Sequence, residues 1–131
     1  MSALPMLSIV VPVFNEETVV PLFVAALTPV LEGIDWEILF VDDGSRDGTW
    51  GAICAAHAAD ARVRGLEFSR NYGKEIALSA GIDHARGRAI IPMDVDLQDP
   101  PELIAPMLAK WREGFDVVLA ERVDRSSPSY S

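Results

Sequence analysis

The sequence has little that could cross-link the chain, span a membrane or attract nucleic acid. Its single cysteine, Cys54, excludes an internal disulfide and a cysteine-rich zinc site. No apolar run approaches the roughly 20 residues of a transmembrane helix, and no signal peptide precedes Leu7. Only 11 lysines and arginines stand against 20 aspartates and glutamates, and the net charge of −9 disfavours nucleic acid and anionic lipid as bulk partners. We therefore expect a soluble cytoplasmic domain that binds no nucleic acid.

Glycine-rich nucleotide-binding loops are also missing. Neither G-x-G-x-x-G nor G-x-x-x-x-G-K-[ST] follows the first apolar run, where the sequence reads Pro-Val-Phe-Asn-Glu-Glu. This argues against a dinucleotide oxidoreductase and a P-loop nucleotidase, and against a sugar-1-phosphate nucleotidyltransferase, which has a glycine-rich loop at that place. A receiver-type signalling domain is discounted because its acidic pair follows the first strand, whereas here such a pair follows the second.

What is present is the pattern of one α/β domain. Half of the 131 residues are hydrophobic and 24% are charged, as in a globular protein. The segments between five short apolar runs have helical character, so we expect right-handed crossovers and a three-layer α/β/α sandwich with a mostly parallel sheet. Most of the runs lack apolar–polar alternation and predict strands buried on both faces: 7–13, 36–41, 63–68, 89–93 and 117–120.

Four helices are predicted between and after these strands. They cover about 17–31, 47–59 and 74–85, and a stretch from Pro100 or Pro101 to just before Gly114. Asn15 is the expected N-cap of the first helix, and Gly87 is expected to close the third. Because no helix follows the fifth strand, we expect residues 1–125 to be an incomplete domain, truncated after that strand, and residues 126–131 to be a loose tail.

Polar clusters follow each of the first four predicted strands. They occupy residues 12–17, 42–45, 69–74 and 94–99. In an open α/β sheet, ligands bind outside the carboxyl ends of the strands, and these ends meet at one edge. The four clusters are therefore predicted to build one binding site.

Asp94 and Asp96 are the candidate metal ligands. Carboxylates two residues apart at a strand end share one side, with Cα atoms about 6–7 Å apart, and can approach one Mg²⁺ or Mn²⁺ ion together. Such an ion leaves positions open for phosphate oxygens and lets an acidic domain bind a diphosphate. The alternative is that this short D-x-D sequence caps the following helix. Gln98, Asp99 and the other three clusters favour the metal site.

Asp42 and Asp43 form a second acidic pair. Adjacent carboxylates leave a strand on opposite sides, so they are not expected to share a metal. We favour Asp43 as the acceptor for a ring N–H of a nucleobase. For Asp42, an Asx-type turn leading into the second helix is an equally good explanation.

The loop after the first strand offers a place for a base. Pro12 fixes the chain where the strand leaves the sheet, and Phe14 presents a flat face for stacking. Glu16 could bind the nucleoside, or it could complement the dipole of the first helix. Arg70 and Lys74, at the entry to the third helix, are candidates to offset diphosphate charge.

The remaining reactive side chains are assigned ordinary structural roles. His57 and His84 lie in helical segments without metal-ligand spacing. Cys54 sits among alanines and is predicted to be a small core residue. The sequence contains no recognisable Ser-His-Asp or Cys-His arrangement.

Taken in order, the four clusters resemble a known family. The chain is similar to family 2 inverting glycosyltransferases of the GT-A fold, and within them to bacterial polyprenyl-phosphate glycosyltransferases related to dolichol-phosphate mannose synthase. A D-x-D sequence is not specific by itself, but the ordered set is, and it extends from Ile9 to about Arg125. The matching stretches are IVVPVFNEE, ILFVDDGSRDGTW, LEFSRNYGKEIALSAGIDHARG, IIPMDVDLQDPPELI and KWREGFDVVLAERVDR.

The resemblance implies a role for each matching residue. The nucleoside contacts would be Pro12, Phe14, Glu16 and Asp43, with Asp42 at the border of that pocket. The metal and catalytic group would be Asp94, Asp96 and Gln98. The residues near the phosphates would be Arg70, Lys74, Arg122 and Arg125. Phe14 replaces the tyrosine common in the family, which keeps the stacking face but loses the phenolic hydrogen bond.

The resemblance also implies a reaction and a location. The expected activity is metal-dependent, inverting transfer of a sugar from a UDP- or GDP-linked donor to a polyprenyl phosphate, a membrane lipid. It would serve cell-wall or lipopolysaccharide glycan synthesis at the inner face of the cell membrane. The alternatives are a fragment that binds nucleotide sugar and metal without turnover, and a transferase acting on a saccharide hydroxyl.

Family members continue past Arg125, and in the GT-A pattern the continuation supplies an antiparallel strand between the fourth and fifth strands. Its absence would expose strand edges, which predicts a homodimer or a swapped dimer.

Overall fold

The computed structural model describes residues 5–95 and Pro106, and its elements follow the predicted alternation of strands and helices. The elements are β1 (Leu7–Val13), α1 (Val19–Val30), β2 (Trp36–Asp42), α2 (Thr49–Ala59), β3 (Val63–Glu67), α3 (Lys74–His84) and β4 (Ala89–Pro92). The first four predicted strands are confirmed, each with bounds within one residue of the prediction. The fourth helix, the fifth strand, the boundary at residue 125 and the tail lie outside the described residues.

The four described strands form one parallel sheet in the order β3-β2-β1-β4. Val13 at the end of β1 pairs with Asp42 at the end of β2, and Asp42 pairs with Glu67 at the end of β3. The carboxyl ends of the strands therefore lie at one edge, as predicted. Both edge strands of this described sheet, β3 and β4, are shorter than the two central ones.

One face of the sheet is covered by α1 and α2. Alternate residues of β1 and β2 pack there against the buried side of α1, and the rings of Phe23 and Phe40 meet edge to face with centroids 5.8 Å apart. Burying a side chain of this size stabilises the fold by about 1.5–3 kcal/mol. The fully buried residues on this face include Leu7, Ile9, Val11, Val20, Phe23, Leu27, Ile38 and Phe40.

The opposite face is covered by α3, which makes the predicted three-layer α/β/α arrangement. Val10, Val41 and Ala77 form the centre of this smaller core. The helix approaches the sheet closely at Gly81, where an added Cβ would lie 2.4 Å from Val10 Cγ1 and 2.9 Å from Val41 Cγ2. Glycine at this position is what allows the helix to sit so near the strands.

Two predicted helix ends are wrong. Asn15 does not cap α1: its φ of +54° is left-handed, its side chain bonds to Arg46 instead, and Thr18 occupies the N-cap position. Gly87 does not close α3, because the extended Ala85 follows the helix directly. Gly87 is needed further on, where an added Cβ would lie 2.6 Å from the backbone nitrogen of Ser8.

The assignment of Cys54 to the core is also wrong, since Cys54 is exposed on α2. The two histidines have the structural contacts expected of them. Nδ1 of His57 lies 2.7 Å from the carbonyl oxygen of Val63, and Nδ1 of His84 lies 2.9 Å from that of Ala80. Within the described residues, no helix is long and apolar enough to cross a membrane.

A buried polar network lies near the amino edge of the sheet. The Glu37 carboxylate accepts hydrogen bonds from the Ser8 hydroxyl, from Arg64 Nη1 at 2.7 Å and from the backbone N–H of Arg86 at 2.7 Å. Ser8 in turn accepts one from the backbone N–H of Gly87. Burial raises the pKa of Glu37, but these hydrogen bonds outweigh it, and the pKa is held below its ordinary value. The network joins three strands to the loop after α3.

Candidate functional site

A cleft of about 120 Å³ opens at the carboxyl edge of the sheet. Its walls come from the end of β1, from the loops after β1, β2 and β4, and from the first residue of α3. They are formed by Pro12, Val13, Phe14, Glu16, Asp43, Lys74, Asp94 and Val95. Six of these residues are site residues predicted from the sequence, they come from all four polar clusters, and the fold brings them to one cavity.

Of the other predicted site residues, the two that the structure describes, Arg70 and Asp42, do not line this cleft. Arg70 is exposed, and its guanidinium carbon lies 4.8 Å from the centroid of the Tyr72 ring. Asp42 is buried beneath the loop that follows β2. Asp96, Gln98 and Arg122 lie outside the described residues, so the metal pair and the role of Gln98 stay predictions.

The loop that carries Phe14 is held by the loop after β2. The backbone N–H of Asn15 donates to Ser45 Oγ at 2.8 Å, and Asn15 Oδ1 accepts from the backbone N–H of Arg46 at 2.9 Å. The backbone N–H of Glu16 donates to Thr49 Oγ1 at 2.8 Å. These bonds fix the backbone directly after Phe14, which itself remains 43% exposed.

Glu17 and Asp47 complete the same junction. Glu17 Oε1 accepts from the backbone N–H of Gly48 at 2.9 Å, and Asp47 Oδ2 accepts from that of Glu17 at 3.4 Å. The hydroxyl and backbone N–H of Thr49 donate to Asp47, and they hold its pKa below the ordinary value. Both carboxylates therefore serve the junction between the two loops, and Glu17 braces α2 rather than its own helix.

Asp43 lines the cleft and also fixes the loop that leads to α3. Its Oδ1 accepts from the backbone N–H of Tyr72 at 2.8 Å. Its Oδ2 accepts from the backbone N–H of Gly73 at 3.0 Å and from Asn71 Nδ2 at 3.2 Å. Because Gly73 has a φ of +106°, a glycine is favoured at this entry to the helix.

Asp42 forms the turn that the sequence offered as one explanation for it. Its Oδ1 accepts from the backbone N–H of Ser45 at 2.9 Å, which is an Asx-type turn. Its Oδ2 is buried and has no hydrogen-bond partner among the described residues. Gly44, two residues after Asp42, has a φ of +78°, and an added Cβ would lie 2.3 Å from the carbonyl carbon of Arg70. Glycine is thus needed where these two loops touch.

An ion pair crosses the mouth of the cleft. Lys74 Nζ lies 3.2 Å from Asp94 Oδ1, with the two side chains 47% and 23% exposed. Among the described residues, the cleft lining therefore has three carboxylates, from Glu16, Asp43 and Asp94, and one ammonium group. The net charge of this described lining is negative, so a diphosphate needs additional positive charge to bind beside it.

The oxygen atoms of the cleft carboxylates are of the type that binds a hard divalent cation. Carboxylate oxygens are the ligands that Mg²⁺ and Mn²⁺ prefer, and Asp94 already has a cation beside it. Between residues 5 and 95, no group of three or more histidine, cysteine, aspartate or glutamate side chains is arranged to hold a metal ion. A complete ligand set therefore depends on partners such as the predicted Asp96.

Several polar side chains hold the loops around the cleft but do not line it, and the sequence did not predict this role for them. They include Asn15, Ser45, Asp47, Thr49 and Asn71. A signal was present: the run Asp-Gly-Ser-Arg-Asp-Gly-Thr consists of residues that bond to nearby backbone. What the sequence alone does not reveal is that their partners belong to a different loop.

Comparison with characterised sequences places the chain among transferases. It is 51% identical over 123 residues to a prophage bactoprenol glucosyl transferase homolog of Escherichia coli (strain K12), covering 92% of this chain and 40% of that protein. It is 41% identical over 121 residues to an undecaprenyl-phosphate 4-deoxy-4-formamido-L-arabinose transferase of Salmonella choleraesuis (strain SC-B67), covering 90% and 37%. The chain thus spans about two fifths of the length of the curated relatives it matches.

Solved structures share the fold. The mannosyltransferase PcManGT from Pyrobaculum calidifontis, in complex with GDP-Man and Mn²⁺, aligns with a TM-score of 0.63 at 22% identity, over 76% of this chain and 34% of that one. Glucosyl-3-phosphoglycerate synthase from Mycobacterium tuberculosis, in complex with Mn²⁺, UDP and glucosyl-3-phosphoglycerate, aligns with a TM-score of 0.62 at 25% identity, over 79% and 38%. The α/β arrangement described above is that of GT-A glycosyltransferases.

The family follows from a match over nearly the whole sequence. The family model described as Glycosyl transferase family 2 matches residues 8–131. This range includes all the residues that line the cleft and all the described strands, apart from Leu7, the first residue of β1. The chain belongs to glycosyl transferase family 2.

Proposed function

We propose that this protein is a metal-dependent, inverting glycosyltransferase that moves a sugar from a nucleoside diphosphate to a polyprenyl phosphate. The observation that carries the proposal is the cleft in which Phe14 offers an exposed ring and Lys74 and Asp94 offer charges. The relatives named above act, by their names, on bactoprenol or undecaprenyl phosphate. Two neighbours in fold were solved with a nucleoside diphosphate or its sugar and Mn²⁺.

The base is assigned to the wall formed by the loop after β1. Phe14 supplies a ring on which a uracil or guanine can stack, and Pro12 stiffens the chain at the point where it leaves the sheet. Glu16 is an acceptor on the same wall. Asp43 adds a further acceptor only if its oxygens share their present hydrogen bonds with the base.

The diphosphate is assigned to the end of the cleft at Asp94 and Lys74. Asp94 would hold the divalent cation together with the predicted Asp96, and Gln98 would lie beside the diphosphate or the sugar. When bound, the cation would stabilise the negative charge that develops on the leaving diphosphate. Lys74, and the predicted Arg70 and Arg122, would add positive charge to the same group.

A phosphate acceptor explains why the cleft needs no strong general base. The second pKa of a phosphate monoester is near 6, so the acceptor is largely ionised at neutral pH and already nucleophilic. No histidine lines the cleft in the described part of the chain. A single displacement at the anomeric carbon, through a transition state with oxocarbenium character, inverts its configuration. The enzyme's task is then to position the two reactants and to stabilise the departing charge.

The acceptor also implies a place of action. A polyprenyl phosphate lies in a membrane, so we propose that transfer occurs at the inner face of the cell membrane, in glycan synthesis for the cell wall or lipopolysaccharide. The net charge of −9 makes general attraction to anionic lipid a poor explanation for such contact. Recognition of the lipid phosphate itself is the better one.

A transfer assay tests this proposal. The protein is incubated with radiolabelled UDP-glucose or GDP-mannose, Mn²⁺ and undecaprenyl phosphate in detergent micelles, and label is counted in the organic phase. We expect label to move to the lipid in the presence of Mn²⁺, and Asp94→Asn to abolish that transfer. Donor binding without transfer to undecaprenyl phosphate would favour a binding role or a hydroxyl acceptor instead.

A further inference from the structure

Lys74 and Asp94 present a conflict if Asp94 is a metal ligand. The Lys74 ammonium already lies 3.2 Å from Asp94 Oδ1, the distance of a direct ion pair. A divalent cation on that carboxylate would stand only a few ångströms from another positive charge. Two positive charges at such distances repel each other even at the effective dielectric of a protein surface. The ammonium and the metal therefore compete for one carboxylate.

The backbone of Lys74 is fixed by the loop before it, and its side chain is partly exposed. The Asp43 carboxylate holds the two residues before it, Tyr72 and Gly73, through their backbone N–H groups. Lys74 is the first residue of α3, and its side chain is 47% exposed. A flexible four-carbon stem on a fixed backbone can move its ammonium group across the cleft without moving the helix.

We propose that Lys74 is an internal counter-ion which the metal displaces from Asp94, and that the displaced ammonium then pairs with the diphosphate. This inference rests on the proposed function, because it requires a metal and a diphosphate in the cleft. Before ligands bind, Lys74 offsets part of the charge of the three carboxylates. After the metal and the diphosphate bind, the metal takes the place of the Lys74 ammonium at Asp94, and the ammonium pairs with the phosphate oxygens instead.

Exchange of this kind couples the two ligands. Metal alone has to break the Lys74–Asp94 pair with no phosphate present to receive the ammonium, so it binds less tightly than it does with the diphosphate. With a diphosphate present, the ammonium moves to the phosphate oxygens, so the metal binds more tightly. By thermodynamic linkage, the metal must raise the affinity for the diphosphate by the same factor.

The test measures metal and diphosphate binding separately, without an activity assay. Bound Mn²⁺ is counted by electron paramagnetic resonance in the absence of nucleotide, and UDP and GDP are then titrated at saturating Mn²⁺ by calorimetry. Four proteins are compared: the unmodified protein, Lys74→Met, Lys74→Arg and Arg62→Met. Arg62→Met removes the same charge at the opposite edge of the sheet, where Arg62 pairs with Asp60.

For Lys74→Met we expect two changes of opposite sign. Its affinity for Mn²⁺ alone rises by about two- to fivefold, the worth of a partly exposed ion pair. Its affinity for the diphosphate at saturating Mn²⁺ falls by about tenfold, because a charged hydrogen bond is lost. Lys74→Arg keeps the cation and stays near the unmodified protein in both measurements, and Arg62→Met changes neither.

An unchanged or lower affinity of Lys74→Met for Mn²⁺ alone would overturn the inference, while leaving the proposed function intact. The same holds if Arg62→Met raises the Mn²⁺ affinity as much as Lys74→Met does, because the effect would then reflect net charge. If the unmodified protein binds neither Mn²⁺ nor either diphosphate, the proposed function falls, and the inference falls with it.

Discussion

Both carboxylate oxygens of Asp43 are engaged by the loop that precedes α3. They accept hydrogen bonds from the backbone of Tyr72 and Gly73 and from the side chain of Asn71. Asp43 thus lines the cleft and also holds the loop that positions the backbone of Lys74. Replacing Asp43 is therefore expected to alter the loop even when no ligand is present.

Hydrogen exchange can detect this second role of Asp43. In Asp43→Ala, the amide hydrogens of Tyr72 and Gly73 lose their acceptor, and we expect both to exchange about tenfold faster, as a lost charged hydrogen bond implies. Ser45→Ala is the matched control, since Ser45 Oγ bonds to Asn15 and not to this loop. Unchanged protection of Tyr72 and Gly73 in Asp43→Ala would show that the carboxylate does not hold the loop.

Single residues were also where sequence reasoning failed most often. Asn15 has the composition of a helix cap, but its side chain bonds to Arg46, 31 positions along the chain. Cys54 sits among alanines, which predicts a small core residue, and only the packing of α2 shows that it faces outward. In both cases the decisive contact is tertiary, and local composition cannot reveal it.

At the level of helices and strands, prediction worked where burial is uniform. β1 and β2 are buried almost throughout, so their mostly apolar sequences mark their ends closely. The position of α3 was less predictable, because it depends on a glycine that touches the sheet. From the sequence alone, Gly81 is simply a glycine that weakens a helix. In the structure, an added Cβ at this position would collide with Val10 and Val41.

Alanine substitutions at two helical glycines test this packing. Gly81→Ala forces the side chain of Val10 or the helix itself to move, and we expect a loss of about 1–3 kcal/mol in the free energy of unfolding. Gly51→Ala, on the exposed side of α2, meets no atom within 4 Å, and its better helix propensity should add about 0.5–1 kcal/mol. Urea denaturation measures both. Equal effects of the two substitutions would contradict the close approach of α3.

For the molecule as a whole, the Glu37 network links three strands and the loop after α3. Hydrogen bonds hold the pKa of Glu37 below its ordinary value of 4.5 despite burial. A carboxyl whose pKa is lower in the folded protein than in the unfolded chain stabilises the fold above the unfolded pKa. That stabilisation is lost as the pH falls below about 4.5 and through the folded value.

A pH series of denaturation experiments follows from this. At pH 7 we expect Glu37→Gln to lower the free energy of unfolding by about 2–4 kcal/mol, because Arg64 is left without its buried partner. Between pH 5 and 3 the free energy of unfolding should fall less in the variant than in the unmodified protein. The variant should still lose some stability, because the pKa values of Asp47 and Asp60 are also lowered. Glu32→Gln, at an exposed position, should change neither quantity. A parallel loss in Glu37→Gln would contradict the account.

Association between copies through strand edges stays a prediction for the whole molecule. In the described sheet, β3 and β4 are the edge strands. Size-exclusion chromatography with light scattering at high protein concentration would detect a dimer, and a monomer at every concentration would count against it.

The central claim is that loops from one sheet edge form a cleft in which a metal joins Asp94 to a nucleoside diphosphate. Thermal unfolding of the unmodified protein, Asp94→Asn and Asp83→Asn with Mn²⁺ and a panel of nucleoside diphosphates measures this directly. At about 100 times the dissociation constant, a ligand adds about 2.7 kcal/mol of stability. We therefore predict a rise of several degrees in the melting temperature, dependent on Mn²⁺, in the unmodified protein and in Asp83→Asn, and its loss in Asp94→Asn. A full Mn²⁺-dependent rise in Asp94→Asn, or none in the unmodified protein, would contradict the claim.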